Sequence, residues 1–268
     1  MRSLAISSQK GGVGKTTLSL NLSFALAHRG WNTLLVDGDP QGSVGLSLQG
    51  DVRTATGLVE VLEGQVGLAE AARPTRIPSL KIVPAGAPEP SRSERWAGSL
   101  AAGSFPSFLE AAEKEGFDLV VVDTPSGLHG ANLEILRAVD AMLVPIQAEP
   151  LALRSVTQTL EAVGLLRDGG SEVTIAGFVV TMLNSRHDVS LSVAQEAWGM
   201  LPSELVLEAF VPRDDAFLLA SAHGVPLGLL SRRPPPVATV FDRLAAEIEP
   251  SLGLVEEEAE LAPISLMD

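Results

Sequence analysis

Lys15, Thr16 and Thr17 close the run Ser7-Ser8-Gln9-Lys10-Gly11-Gly12-Val13-Gly14-Lys15-Thr16-Thr17, and their order suits phosphate chemistry. Glycines let a backbone bend so that successive N–H groups point inward, and a helix beginning at the lysine adds its partial positive charge. Lys15 then supplies a point charge for outer phosphates, and the Thr16 hydroxyl is placed to ligate Mg²⁺. Two carboxylate turns occur elsewhere, Asp37-Gly38-Asp39-Pro40-Gln41-Gly42 and Asp123-Thr124-Pro125-Ser126-Gly127. Taken alone, the first reads equally well as a solvated turn, because Asp, Gly and Pro are common turn formers.

These residues need elements to hold them. Leu4–Ile6 reads as a short buried strand before the glycines, and Leu18, Leu20, Leu22 and Leu26 as the helix after them. That helix ends at His28-Arg29-Gly30, with cations at its negative end and glycine beyond, so His28 needs no ligand role. The runs Leu34–Val36 and Leu119–Val122 are apolar without alternation, as strands buried on both faces are, and each ends in one of the carboxylate turns. Ligands bind at that carboxyl edge in open α/β sheets. Further strands are expected at Leu80–Pro84, Ala138–Ile146, Ile175–Arg186 (ending in a polar turn) and Glu208–Arg213, with helices at Thr56–Leu62, Phe105–Glu115, Leu151–Leu166 and Val237–Ile248. Residues 84–95 read as a Pro/Ser-rich loop with solvated arginines, and Ser155, Thr157 and Thr159 as the polar side of their helix. The alternation predicts a doubly wound, mainly parallel sheet with helices on both faces, in one domain over 1–253 followed by an acidic tail over 254–268.

The string Lys10-Gly11-Gly12-Val13-Gly14-Lys15-Thr16-Thr17 departs from the common phosphate-loop pattern, carrying Gln9 at the first glycine position and an additional lysine, Lys10. It resembles the deviant Walker A motif of the ParA/MinD family of partitioning and positioning ATPases. The likeness continues through Asp37-Gly38-Asp39-Pro40-Gln41-Gly42, the Asp123 turn and Ala138–Leu153, and is closest to the ParA/Soj type. The family usually has D-x-P-P where this chain has Asp123-Thr124-Pro125-Ser126. The resemblance implies ATP and ADP as ligands, held by Lys10, Gly11, Gly12, Val13, Gly14, Lys15, Thr16 and Thr17. It also implies adenine contacts from Asn184, Pro212 and Arg213, and Mg²⁺ held through Thr16, Asp39 and Asp123. Lys10, Lys15 and Asp39 take the catalytic roles. Lys10 reaches the nucleotide of a second subunit, Asp39 orients the attacking water, Asp37 supports the metal region, and residues 127–132 sense the γ-phosphate. An aspartate is a weak base at its ordinary pKa, so positioning is the role expected of Asp39.

The implied device is a homodimer formed with ATP that hydrolyses slowly until a ParB-like or adaptor protein with a basic N-terminal segment stimulates it. It would position or partition DNA or a protein cargo. Composition bounds what such a dimer rests on. The net charge is −14, with five of the negative charges in Glu256, Glu257, Glu258, Glu260 and Asp268. Chromosomal ParA proteins often carry basic residues near the last strand, where this chain has Asp214 and Asp215, leaving Arg232 and Arg233 as the obvious basic pair. Weak non-specific DNA binding is therefore expected, because several phosphate contacts are needed to hold a duplex. A nucleotide-switched regulator working through protein contacts alone is the alternative. No membrane mode is expected, since the tail is acidic and holds Pro263. A cytoplasmic, nucleoid-associated protein without a signal peptide is the reading. The absence of cysteine excludes disulfides, thiolate catalysis and a cluster carrier of the nitrogenase-iron-protein kind. His129, His187 and His223 show no metal-ligand spacing.

Overall fold

Strand after strand in this chain is apolar on both faces, and the sheet that results is covered on both sides. The structure is a computed structural model and describes residues 1–254 apart from 51, 53, 54 and 151. Its elements begin with β1 (Arg2–Ile6), α1 (Lys15–His28), β2 (Thr33–Asp37), α2 (Ser43–Leu46), α3 (Leu58–Leu62), α4 (Leu68–Ala71), β3 (Arg73–Pro74), β4 (Leu80–Val83), α5 (Arg92–Ala101) and α6 (Ser104–Lys114). They continue with β5 (Leu119–Asp123), α7 (Asn132–Ala138), β6 (Ala141–Gln147), α8 (Ala152–Asp168), β7 (Thr174–Leu183), α9 (Asp188–Met200), β8 (Val211–Pro212), α10 (Ala216–His223) and α11 (Thr239–Ile248).

The sheet order is β3-β4-β2-β5-β1-β6-β7-β8, and every pairing is parallel except that of the short edge strand β3 with β4. The pleat sends alternate side chains to opposite faces. Leu34, Val36, Val120 and Val122 pack under Leu100, Phe105, Phe108 and Ile135 from α5, α6 and α7. Leu35, Leu119 and Val121 pack on the other face against Leu22, Leu26, Phe241 and Leu244 of α1 and α11. Below the sheet, Glu249 is buried and accepts from Arg29 Nε and Nη2, both at 2.6 Å, and from Trp31 Nε1 at 2.8 Å, tying the end of α1 to the end of α11.

The doubly wound architecture is the one expected, with three local corrections. Arg92–Ala101 is a helix, not the continuation of a loop, and Arg92 and Arg95 are half-buried rather than solvated. Arg92 donates to the Gly86 carbonyl at 3.0 Å, and Arg95 is surrounded by Glu60, Glu63 and Glu89. Thr159 is buried and gives its hydroxyl to the Ser155 carbonyl at 2.7 Å, so it is not part of a polar face. Leu254, placed at the head of the acidic tail, still belongs to the body, its N–H donating to the Glu249 carbonyl at 2.9 Å. Residues 255–268 lie outside the described residues. Among the described residues no helix is long and apolar enough to cross a membrane.

Candidate nucleotide-phosphate site

The site lies where β1, β2 and β5 end side by side. Residues 7–14 leave β1 as a loop in which Gly12 (φ 75°) and Gly14 (φ 90°) are left-handed, a conformation other residues adopt only at a cost. Gly14 caps α1 and, having no side chain, does not itself bond the first N–H groups of that helix. Those groups and the helix dipole therefore face the loop, as phosphate binding requires. The loop is stitched to its neighbours, with the Ser7 N–H donating to the Leu143 carbonyl at 3.1 Å and Thr181 Oγ1 to the Val13 carbonyl at 2.9 Å.

Lys15 is buried at the head of α1 and gives Nζ to Ser126 Oγ at 3.0 Å. Burial lowers its pKa, and the charges of Asp123 and Asp39 work in the other direction. Thr16 Oγ1 donates to Asp123 Oδ2 at 2.7 Å, and the Ser19 hydroxyl lies 2.9 Å from both Asp123 Oδ1 and the Lys15 carbonyl. Asp37 stands opposite Asp123 in the β2–β5 register. Its Oδ2 accepts the N–H groups of Val44 at 3.0 Å and Gly45 at 3.2 Å, while Oδ1 is buried with no hydrogen-bond partner among the described residues. The cost of two buried carboxylates on adjacent strands shows in their acidities. Asp37 is pushed up to about 8, by burial first and then by the charge of Asp123. Asp123 is pushed up to about 6 by burial, against the pull of Thr16, Ser19 and Lys15. Gly38 separates Asp37 from Asp39 and is required, since a Cβ there would lie 2.8 Å from the Asp123 carbonyl oxygen. Asp39 is half-buried, and its Oδ1 accepts the Gln41 N–H at 2.8 Å.

These donors suit Mg²⁺. A hydroxyl and a carboxylate are hard oxygen ligands, and a partnerless buried carboxylate oxygen two residues from Asp39 marks a place short of positive charge. No group of three or more His, Cys, Asp or Glu among the described residues forms a metal cage. Mg²⁺ sites built from one or two carboxylates plus substrate phosphates need none.

Lys10 stands at the rim. Its Nζ donates to Gln147 Oε1 at 3.3 Å and Glu149 Oε2 at 2.9 Å, the last residue of β6 and one just beyond it. Beyond the loop a cavity of about 250 Å³ is lined by Val13, Gly14, Thr17, Met182, Pro212, Arg213, Phe217 and Leu218, among others. This brings Pro212 and Arg213 beside the loop. Asn184 is not among the lining residues, and its Oδ1 accepts the Arg186 N–H at 3.1 Å in a turn before α9. Met182 lines the cavity and is left-handed (φ 54°). Sequence reasoning also missed Ser126, Phe217 and Leu218. The latter two lie on α10, a helix for which no element was expected, and Leu218 is 71% exposed.

The chain matches a family model described as an AAA domain over residues 1–175. It is 36% identical over 233 residues to the chromosome partitioning protein ParA of Caulobacter vibrioides, covering 85% of this chain and 86% of that protein. An ATP complex of a McdA variant from Cyanothece superimposes with a TM-score of 0.79 at 22% identity, covering 96% of this chain and 98% of the other, a likeness of fold. The septum site-determining protein MinD of Pyrococcus horikoshii, complexed with Mg-ADP, superimposes with a TM-score of 0.75 at 25% identity, covering 94% and 98%.

Proposed function

The chain belongs to the ParA/MinD family of P-loop ATPases, and we propose that it is a partitioning or positioning ATPase that works as an ATP-gated dimer switch. The observation that carries the reading is the meeting of Lys15, Thr16 and Asp123 at one sheet edge, with Asp39 electrostatically coupled to them and Lys10 at the rim. Gly11–Thr17 hold the phosphates of ATP through backbone N–H groups and Lys15. Thr16 and Asp123 would hold Mg²⁺, with Asp39 beside them, and the ion when bound offsets the charge of the transferring phosphoryl group. Asp39 positions the attacking water for in-line displacement. Val13, Pro212 and Arg213 border the space for the base, with Asn184 shaping the adjacent turn.

Lys10 has a partner within its own chain, yet an exposed ion pair of this kind is worth only about 0–1 kcal/mol. It exchanges readily for the phosphates held by a second subunit, where each Lys10 offsets charge across the interface. Loss of the γ-phosphate removes those contacts and the dimer separates. A ParB-like or adaptor protein with a basic N-terminal segment is the expected stimulator, and the acidic surface suits it.

The dimer's matrix is non-specific DNA held weakly. Asp214 and Asp215 start α10, with Asp214 Oδ1 accepting the Ala216 N–H at 2.8 Å, so their charge serves a helix N-terminus and also repels a duplex. Arg232 and Arg233 are exposed and remain as the phosphate contacts. The same two aspartates favour the second reading, a switch whose outputs are other proteins.

Co-sedimentation with random duplex DNA, across a salt series and with ATP, ADP or no nucleotide, tests the first reading. ATP-dependent binding that is lost in Lys15→Ala supports it. No binding at low salt, with ATP-dependent dimers demonstrated, refutes it in favour of the second.

A further inference from the structure

Ser126 follows Asp123-Thr124-Pro125 and is exposed, so it has no packing role. Its Oγ nevertheless lies 3.0 Å from Lys15 Nζ and 3.2 Å from the point a Cβ on Gly11 would occupy. One hydroxyl thus touches both ends of the glycine loop, across the mouth of the cradle.

The segment around it is fastened on both sides. Thr124 Oγ1 donates to the Ile6 carbonyl at 2.9 Å, the Gly127 N–H to the Ser8 carbonyl at 3.1 Å, and the Leu128 N–H to Gln9 Oε1 at 2.8 Å. Asn132 Nδ2 holds the Gly127 carbonyl at 2.6 Å. Gly127 is left-handed (φ 95°), which turns the chain immediately after Ser126. The backbone that carries the hydroxyl is thus fastened by hydrogen bonds on both sides of Ser126.

We propose that Ser126 is a positioning residue for the terminal phosphate of a nucleoside triphosphate, its hydroxyl donating to a γ-phosphate oxygen that Lys15 also binds. The inference rests on the reading of Gly11–Thr17 as an ATP cradle. Lys15 Nζ is a donor only, and in the structure Ser126 Oγ is an acceptor for it. A hydroxyl can exchange roles by rotating about one bond. When a phosphate oxygen takes over Lys15, Ser126 remains in reach and offers its proton to the same anion. An alanine or proline at this position has no side-chain donor. A diphosphate leaves the hydroxyl on Lys15, so Ser126 distinguishes ATP from ADP.

The test is calorimetric binding of a non-hydrolysable Mg-ATP analogue and of Mg-ADP to the full chain, to Ser126→Ala, and to Ser126→Thr, with thermal unfolding as a check on folding. Hydrogen bonds to charged groups are the stronger kind. Ser126→Ala is expected to weaken the ATP analogue roughly tenfold, about 1.4 kcal/mol, and ADP less than twofold. Ser126→Thr, which retains the hydroxyl, is expected to restore the preference. Ser126→Gly serves as a second hydroxyl-free variant if Ser126→Ala does not fold. An unchanged ratio of the two affinities in the hydroxyl-free variant, whether both fall together or neither falls, overturns the proposal. Wild-type protein that binds neither nucleotide instead refutes the underlying cradle reading.

Discussion

Replacing Asp123 with asparagine is expected to make the nucleotide-free protein more stable at alkaline pH while abolishing tight Mg-ATP binding. Asp123 is nearly inaccessible, and its acidity is shifted from 3.8 to about 6 by burial. A carboxyl group with a raised folded-state pKa contributes stability that is fully present below about 3.8 and lost as pH rises through about 6. Two pH units correspond to about 3 kcal/mol. Asparagine does not ionise, so it escapes that loss. It also removes one source of the shift at Asp37, which the charge of Asp123 helps push to about 8. Against this, an amide NH₂ must face either the Thr16 or the Ser19 hydroxyl, which now donate to Asp123 at 2.7 and 2.9 Å and must turn their proton away to accept it, at a cost of about 1 kcal/mol. That mismatch is independent of pH. Urea unfolding in EDTA at pH 3 and 8 should therefore show the variant about 1 kcal/mol less stable at pH 3 and on the order of 2 kcal/mol more stable at pH 8. Parallel stability curves for the two proteins would refute the view that this edge of the sheet is a charge-starved cation site.

Lys10→Ala should eliminate ATP-dependent dimers yet change the melting temperature by no more than about 2 °C, because its ion pair with Glu149 is exposed; light scattering and thermal unfolding report the two effects. Gly38→Ala should destabilise by about 1–3 kcal/mol in urea and weaken nucleotide binding, since its Cβ meets a backbone oxygen at 2.8 Å and the Val122 side chain at 2.9 Å. Glu249→Gln should lower stability by about 2 kcal/mol with nucleotide affinity unchanged, less than for a fully enclosed ion pair because the Arg29 side chain is 29% exposed.

The central strands were legible because each is buried on both faces and so reads as an unbroken apolar run, Leu34–Val36 and Leu119–Val122 above all. The phosphate loop and carboxylate turns were legible because their residue types and order carry the chemistry. Other elements left weak traces. Helix α5 buries only Trp96 and Leu100, and it follows a stretch rich in proline and serine. Helix α9 places Val189 and Met200 in solvent, which erases its apolar stripe. Asparagine at a strand end serves a turn as readily as a base, and the Asn184 Oδ1 accepts the Arg186 N–H in the turn before α9, a contact that the residue type alone does not announce. The Lys10–Glu149 pair joins residues 139 positions apart and Lys15–Ser126 joins residues 111 apart. Those contacts depend on the sheet order, with β1 lying between β5 and β6, and no local pattern announces them.

The most direct test of the switch is the mass in solution of the full chain with Mg-ADP and with a non-hydrolysable Mg-ATP analogue, for wild type and Lys10→Ala. The account predicts a single chain with ADP, two chains with the ATP analogue, and a single chain in both states for Lys10→Ala. Wild-type protein with the same mass in both nucleotides, under conditions where both are bound, would contradict it.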